Sequence, residues 1–248
     1  MLVDAHAHLH GVEDIDKTLT EAYQSGVRKI MAVSMDMESY RKTCSIHSDR
    51  IRIFPALGIH PWNAPSHMNE LEPALDELKN VKYVGEIGLD HSYYKDAKDH
   101  ASQLKVFTAF LEACKGTNKV LNIHSAGAEE QILEMLQSYN VKHVNIHWYD
   151  AAEQGTPLKL IPKMIDLGYY ISITPIIATS KNAQELARMV PIDYLLTETD
   201  THPLVKYDGV QSAPKMVKIS LEGLARVKNC RLDDLEDAVA KNFAQLVG

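Results

Sequence analysis

The sequence is poor in the features that mark an oxidised, secreted or membrane-bound protein. It has three cysteines, Cys44, Cys114 and Cys230, an odd number, far apart and without a C-x-x-C pair. A disulfide framework is therefore not expected, and each thiol reads as a small buried hydrophobe rather than a nucleophile. No basic segment followed by an apolar one opens the chain, so no signal peptide is expected. No run approaches the roughly 18 apolar residues of a membrane span. The expectation is a cytoplasmic protein with no membrane partner. Excess basic charge is missing too: the formal net charge is −7, and Lys and Arg cluster only in pairs such as Arg28-Lys29 and Arg41-Lys42. That opposes tight binding of duplex nucleic acid through a basic face. It does not oppose a small acidic pocket whose bound cations bring the positive charge. No G-x-G-x-x-G follows the first apolar run, so a dinucleotide fold loses its main support. No linker or low-complexity segment divides the chain.

What is present is alternation. Eight short apolar runs, at 3–6, 29–34, 51–57, 81–86, 120–124, 143–147, 168–173 and 193–197, are separated by longer segments. Helical periodicity is clear in four of these, at 15–25, 101–115, 129–138 and 232–247. Strands alternating with helices imply a parallel sheet with crossover connections. Eight such units in 248 residues fit an α/β protein with a (β/α)8 TIM barrel, which takes about 250 residues. The expectation is one domain spanning residues 1–248.

Active residues of such a barrel sit at the C-terminal ends of the strands. The first run reads VDAHAHLH, and alternate residues of a strand share a face, so His6 and His8 project together, with His10 beyond the strand. The third ends in GIHP (His60), the fourth in GEIGLD (Glu86), the fifth in NIH (His124), the sixth in NIHW (His147) and the eighth in TETD (Asp200). Neutral imidazole and carboxylate suit Zn²⁺, Mn²⁺ and related ions. His6, His8, Glu86 and Asp200 could hold one ion, and Glu86, His124 and His147 a second, with Glu86 bridging. Two divalent ions (Zn²⁺, Mg²⁺ or Mn²⁺) so placed would lower the pKa of a water to about 7. Asp200 would act as general base, and Glu86 and Asp200 are the residues expected to carry catalysis. Glu198 shares its strand face with Asp200, as a buried acid or as support for a ligand. His47, His67, His100 and His143 read as surface residues.

These motifs, with DAHAHL at 4–9 and AKNFAQLVG near the end, resemble those of the TatD-like metal-dependent hydrolases of the amidohydrolase superfamily. The resemblance spans nearly the whole chain. It implies a (β/α)8 barrel, divalent metals and metal-dependent hydrolysis, with deoxyribonuclease activity in better-known members. It carries ligand roles to His6, His8, Glu86, His124, His147 and Asp200. The chain departs from the family pattern after His124, where HSAG replaces the usual HxR, after His147 (WYDA) and after Asp200 (THPL). A guanidinium pairs with phosphate in a bidentate fork, so the missing Arg removes a phosphate contact and leaves the metal ligands intact. His60, His91 and His202 are expected to contact substrate. The leading expectation is hydrolysis of phosphodiesters in DNA. The same centre acting on a small amide, lactone or phosphoester is a second, and a non-catalytic metal-binding scaffold a third, which Asp200 argues against. Trp62, Tyr93, Tyr94, Trp148 and Tyr149 follow strand ends and would either stack bases or wall a small pocket.

Overall fold

The computed structural model describes residues 1–93, 95–147 and 158–248; Tyr94, Trp148, Tyr149 and Asp150 lie outside the described residues. All eight expected strands are present: β1 (Leu2–Ala7), β2 (Val27–Val33), β3 (Arg52–Ala56), β4 (Tyr83–Asp90), β5 (Val120–Ala126), β6 (His143–Ile146), β7 (Tyr170–Ile173) and β8 (Leu195–Thr197). They form two parallel arcs in chain order, β1-β2-β3 and β4-β5-β6-β7-β8. The arcs meet at two isolated parallel bridges, Leu57–Val84 and Ala7–Thr201. The Leu57 N–H donates to the Tyr83 carbonyl at 3.0 Å at one seam, and the His8 N–H to the Thr201 carbonyl at 2.8 Å at the other. The result is the expected (β/α)8 barrel.

The helices follow the strands in order: α1 (Ile15–Gln24), α2 (Met37–Cys44), α3 (Leu71–Leu78), α4 (Ala97–Cys114), α5 (Glu129–Ser138), α6 (Ile161–Asp166) and α7 (Lys181–Met189). After β8 a short hairpin, β9 (Lys206–Tyr207) and β10 (Val210–Gln211), precedes α8 (Val217–Lys228) and α9 (Leu232–Val247). Helix α4 begins four residues before the expected 101, because the Asp96 side chain accepts from the Lys98 N–H at 2.8 Å and caps it. No described helix is long and apolar enough to cross a membrane. The cysteines are free, as expected, but only Cys114 is buried: Cys44 is exposed at the end of α2 and Cys230 is half-buried, so the expectation of three buried thiols fails at both.

Strand alternation sorts the interior. Val3, Ala5, Leu121, Ile123, Val144, Ile146, Ile171 and Ile173 join the apolar core. The residues between them are polar and buried: Asp4 and His6, Asn122, Asn145, Ser172. They bond in pairs between neighbouring strands. Asn145 Nδ2 donates to Ser172 Oγ at 2.9 Å, and Asp4 accepts from Thr199 at both its oxygens, from the N–H at 3.0 Å and from Oγ1 at 2.6 Å. A buried polar group is costly unless it is bonded, so this filling fixes the strand register around the barrel axis.

Helix α9 packs on the core beyond the start of β8. Asn242, within the closing AKNFAQLVG segment, donates from Nδ2 to the carbonyls of Ile192 at 2.7 Å and Leu195 at 2.9 Å. Its place is the foot of β8, while Asp200 follows that strand's other end, so its role is to dock α9.

Candidate metal centre

Backbone geometry delivers the side chains first. Gly88 has φ +152°, and a Cβ there would lie 2.0 Å from the His124 carbonyl oxygen. Only glycine lets β4 and β5 approach so closely that Glu86 and His124 meet. Asp200 lies past the end of β8 with φ +43°, in the left-handed region, which costs a non-glycine residue roughly 1–2 kcal/mol. The neighbouring contacts hold it there: the Asp200 N–H donates to the His6 carbonyl at 3.0 Å, and Asp4 clamps Thr199.

Glu86, 1% exposed, is the hub. Its Oε1 faces His124 Nδ1 at 2.8 Å, His147 Nε2 at 2.9 Å and His60 Nε2 at 3.3 Å. Its Oε2 faces His8 Nε2 at 3.0 Å and His6 Nε2 at 3.3 Å, and accepts no hydrogen bond from either. Asp200 Oδ1 stands 3.5 Å from both His6 Nε2 and His8 Nε2. The structure thus brings together His6, His8, Glu86, His124, His147 and Asp200, as the sequence predicts, and adds His60.

The hydrogen-bond network fixes which ring nitrogens carry lone pairs. Asn122 donates from Nδ2 to the Ala5 carbonyl at 2.7 Å, so its Oδ1 accepts from His6 Nδ1 at 2.8 Å. With the proton on Nδ1, His6 turns an Nε2 lone pair toward Glu86 and Asp200. Burial holds His8 neutral, pushed down to about 3. The two imidazole nitrogens lie 3.3 Å apart. A neutral His6 thus aims a lone pair, beside the ring of His8, at two carboxylate oxygens, and a proton or a metal cation between them relieves the crowding of negative and lone-pair atoms. His60 differs. The Trp62 N–H donates to its Nδ1 at 3.1 Å, so a neutral His60 carries its proton on Nε2 and gives it to Glu86.

The electrostatics repeat this demand for positive charge. Burial opposes ionisation of Glu86, yet His60, His147 and His6 hold it well below the usual carboxylate range. Burial likewise opposes a charge on His6, but Glu86 and Asp200 raise it well above the ordinary imidazole value. Burial works against the Asp200 carboxylate as well, and His6 outweighs it, leaving Asp200 depressed. His124 sits between two acids, with Nε2 3.0 Å from Asp90 Oδ2; despite burial, Asp90 and Glu86 push it up to about 9. Three groups have ligand atoms close enough for one ion: His6, His8 and Asp200; His6, Glu86 and His147; and His60, Glu86 and His124. The residues present fit divalent metal.

His8, His60, Glu86, His124, His147 and Asp200 floor a cavity of about 310 Å³, which the fully buried His6 does not line. Trp62, Tyr93, His202 and Lys206 line it higher up. His202 stacks edge-on against His8, with ring centroids 5.1 Å apart. His91 does not line the cavity, contrary to expectation. Its N–H donates to the Ala126 carbonyl at 2.7 Å, Ser92 and Tyr93 turn over Asp90 Oδ1, and the ring stacks on His100 with centroids 3.9 Å apart. Sequence reasoning passed over Asn122 and Asp90 as functional residues. Both were within reach of the period-two rule, since Asn122 is two residues from His124 and Asp90 four from Glu86 on the same strands.

The family described as TatD-related DNase matches residues 3–248. The chain belongs to that family. An Escherichia coli K12 relative, the uncharacterized metal-dependent hydrolase YcfH, is 30% identical over 99% of this chain and 95% of its own length. The human deoxyribonuclease TATDN3 is 27% identical over 99% of this chain and 94% of its length. Among solved structures, YJJV, a TatD homolog from Escherichia coli K12, superimposes with a TM-score of 0.86 at 22% identity, covering 99% of this chain and 97% of its own. The protein is a metal-dependent hydrolase on a TatD-type barrel.

Proposed function

We propose that the protein is a phosphodiesterase acting on DNA, with two divalent ions held about Glu86. The observation that carries this reading is the buried cluster of His6, His8, Glu86 and Asp200, whose ligand atoms lie within 3.0–3.5 Å of one another across the two carboxylates, with no hydrogen-bond partner for Glu86 Oε2. His6, His8, Glu86 and Asp200 would hold one ion, and Glu86 with His124 and His147 would hold the other. When bound, divalent ions in such a pair neutralise non-bridging phosphate oxygens and bring the pKa of water down to about 7. Asp200, whose Oδ1 faces His6 and His8 at 3.5 Å, takes the proton of the attacking water at the cavity floor. Asn122 keeps the His6 proton on Nδ1, so the Nε2 lone pair stays inward. Glu198 Oε1, 3.5 Å from His147 Nδ1, steadies the ring on the other side. His202 and the aromatic face of Trp62 border the space above.

A relative bearing the name deoxyribonuclease supports the DNA substrate. The cavity volume favours a second reading, in which the same centre cleaves a small phosphoester, amide or lactone. A substrate panel separates them. Single-stranded oligonucleotides labelled at the 3′ or 5′ end, bis(p-nitrophenyl) phosphate, simple amides and lactones are each incubated with Mg²⁺, Mn²⁺ or Zn²⁺. Cleavage of the oligonucleotide and the diester is expected. Turnover of amides or lactones with both phosphodiesters intact would overturn the reading.

A further inference from the structure

Above its floor the cavity has an unusual distribution of charge. Glu129 lines the wall and Glu86 and Asp200 the floor, while Lys206 is the one Lys or Arg among the described lining residues. The segment HSAGA, at the end of β5, carries no Lys or Arg, and Ser125 lines the wall there with its Oγ buried and unbonded. Lys206 is exposed, and its ammonium has no hydrogen-bond or ion-pair partner among the described residues.

The segment that carries Lys206 is firmly held. A hairpin with two residues per strand is marginal alone. Here Gln211 Nε2 donates to the carbonyls of His202 at 2.7 Å and Val205 at 2.9 Å. The Ser212 N–H donates to the Val205 carbonyl at 3.0 Å. Tyr207 OH and Ser212 Oγ both donate to the Thr199 carbonyl, at 2.9 and 2.7 Å. Thr199 precedes Asp200, so the backbone of Lys206 is tied to the residue next to the proposed base. Two of the most exposed large apolar side chains, Leu204 at 75% and Tyr93 at 67%, line the same cavity. An exposed apolar and aromatic rim is where an unpaired base can rest.

We infer that Lys206 selects the substrate class: it binds the phosphate next to the scissile one, so the preferred substrate is an oligonucleotide and not an isolated small ester. The inference rests on the phosphodiesterase reading. An ion-loaded floor neutralises the scissile phosphate, but only a substrate with a second phosphate gains from a cation at the rim. A lysine meets that phosphate as a point charge, without the forked geometry of arginine.

The test compares wild type, Lys206→Ala and Lys206→Arg in the full chain, with a fluorescent single-stranded oligonucleotide and bis(p-nitrophenyl) phosphate under the same divalent ion. Lys206→Ala is expected to lower kcat/KM for the oligonucleotide at least tenfold more than for the diester, with the loss falling on KM. The slope of log(kcat/KM) against log salt should become shallower by about 0.7, the value for one single-strand phosphate contact. Lys206→Arg should restore both. Wild-type KM and salt slope in Lys206→Ala would overturn the inference, as would a wild-type enzyme that cleaves the diester and not the oligonucleotide. A wild type that cleaves neither would instead overturn the phosphodiesterase reading, and the inference with it.

Discussion

Asn122 holds His6 by a short relay: its amide donates to the Ala5 carbonyl at 2.7 Å, and its Oδ1 faces His6 Nδ1 at 2.8 Å. The amide cannot turn over without losing both bonds, so the His6 tautomer is set by a residue 116 positions away. Partners of this kind are worth about 10–100-fold in metal affinity. Asn122→Leu is expected to weaken metal binding by that factor in a competitive chelator titration. Asn122→Asp, which keeps an acceptor opposite Nδ1, should recover most of it.

Asp200 is the proposed proton acceptor, and its removal should cost chemistry before it costs the centre. Asp200→Asn is expected to lower kcat on bis(p-nitrophenyl) phosphate by about 10²–10⁴-fold. At least one metal ion per chain should remain, measured by elemental analysis of the same sample. Wild-type turnover in a metal-verified Asp200→Asn protein would exclude Asp200 as the base.

Metal loading should release protons. In the metal-free protein His124 is pushed up to about 9 by Asp90 and Glu86, against burial, so it is protonated at pH 7. A metal takes the neutral ring, so proton and ion compete. Affinity therefore rises with pH toward about 9 and falls as the solution is acidified. Calorimetric titration of Zn²⁺ in buffers of different ionisation enthalpy should show proton release at pH 7, and less of it at pH 9.

Asn242 predicts an effect on stability at a site remote from the chemistry. Losing its side chain removes the amide donor from the Leu195 carbonyl and from the Ile192 carbonyl, which keeps only the Leu195 N–H. Asn242→Ala is expected to cost about 1–3 kcal/mol in urea unfolding. Its metal affinity in a chelator titration should stay within twofold of wild type.

The centre was legible in the sequence because every ligand but Glu86, which lies midway along β4, sits near or just past a strand end, and alternation tells which neighbours share its face. His6 and His8 needed only a period of two. All eight strands were visible for the same reason, as apolar runs between helical segments. Helices α2, α3, α6, α7 and α8 were harder to see. Helix α6 has six residues and Pro162 in its first turn, and α8 carries Gly223, where a Cβ would meet Ile177 at 2.4 Å. The polar filling at Ser172 was not legible, because this residue has no ligand two residues away to mark its face and signals nothing until Asn145 is known to be its partner. His91 was misplaced because the turn over Asp90 sends it outward, and turn direction is decided by side-chain acceptors that the local sequence does not reveal. Lys206 stayed unremarked because its hairpin is short and held by bonds to Thr199 and His202.

The most direct measurement is metal stoichiometry in wild type and Glu86→Ala, determined by elemental analysis after loading with Zn²⁺ and removal of free ion. Wild type should retain two ions per chain, and Glu86→Ala fewer than one, because both proposed sites share that carboxylate. Two fully retained ions in a folded Glu86→Ala protein would contradict a centre built around Glu86.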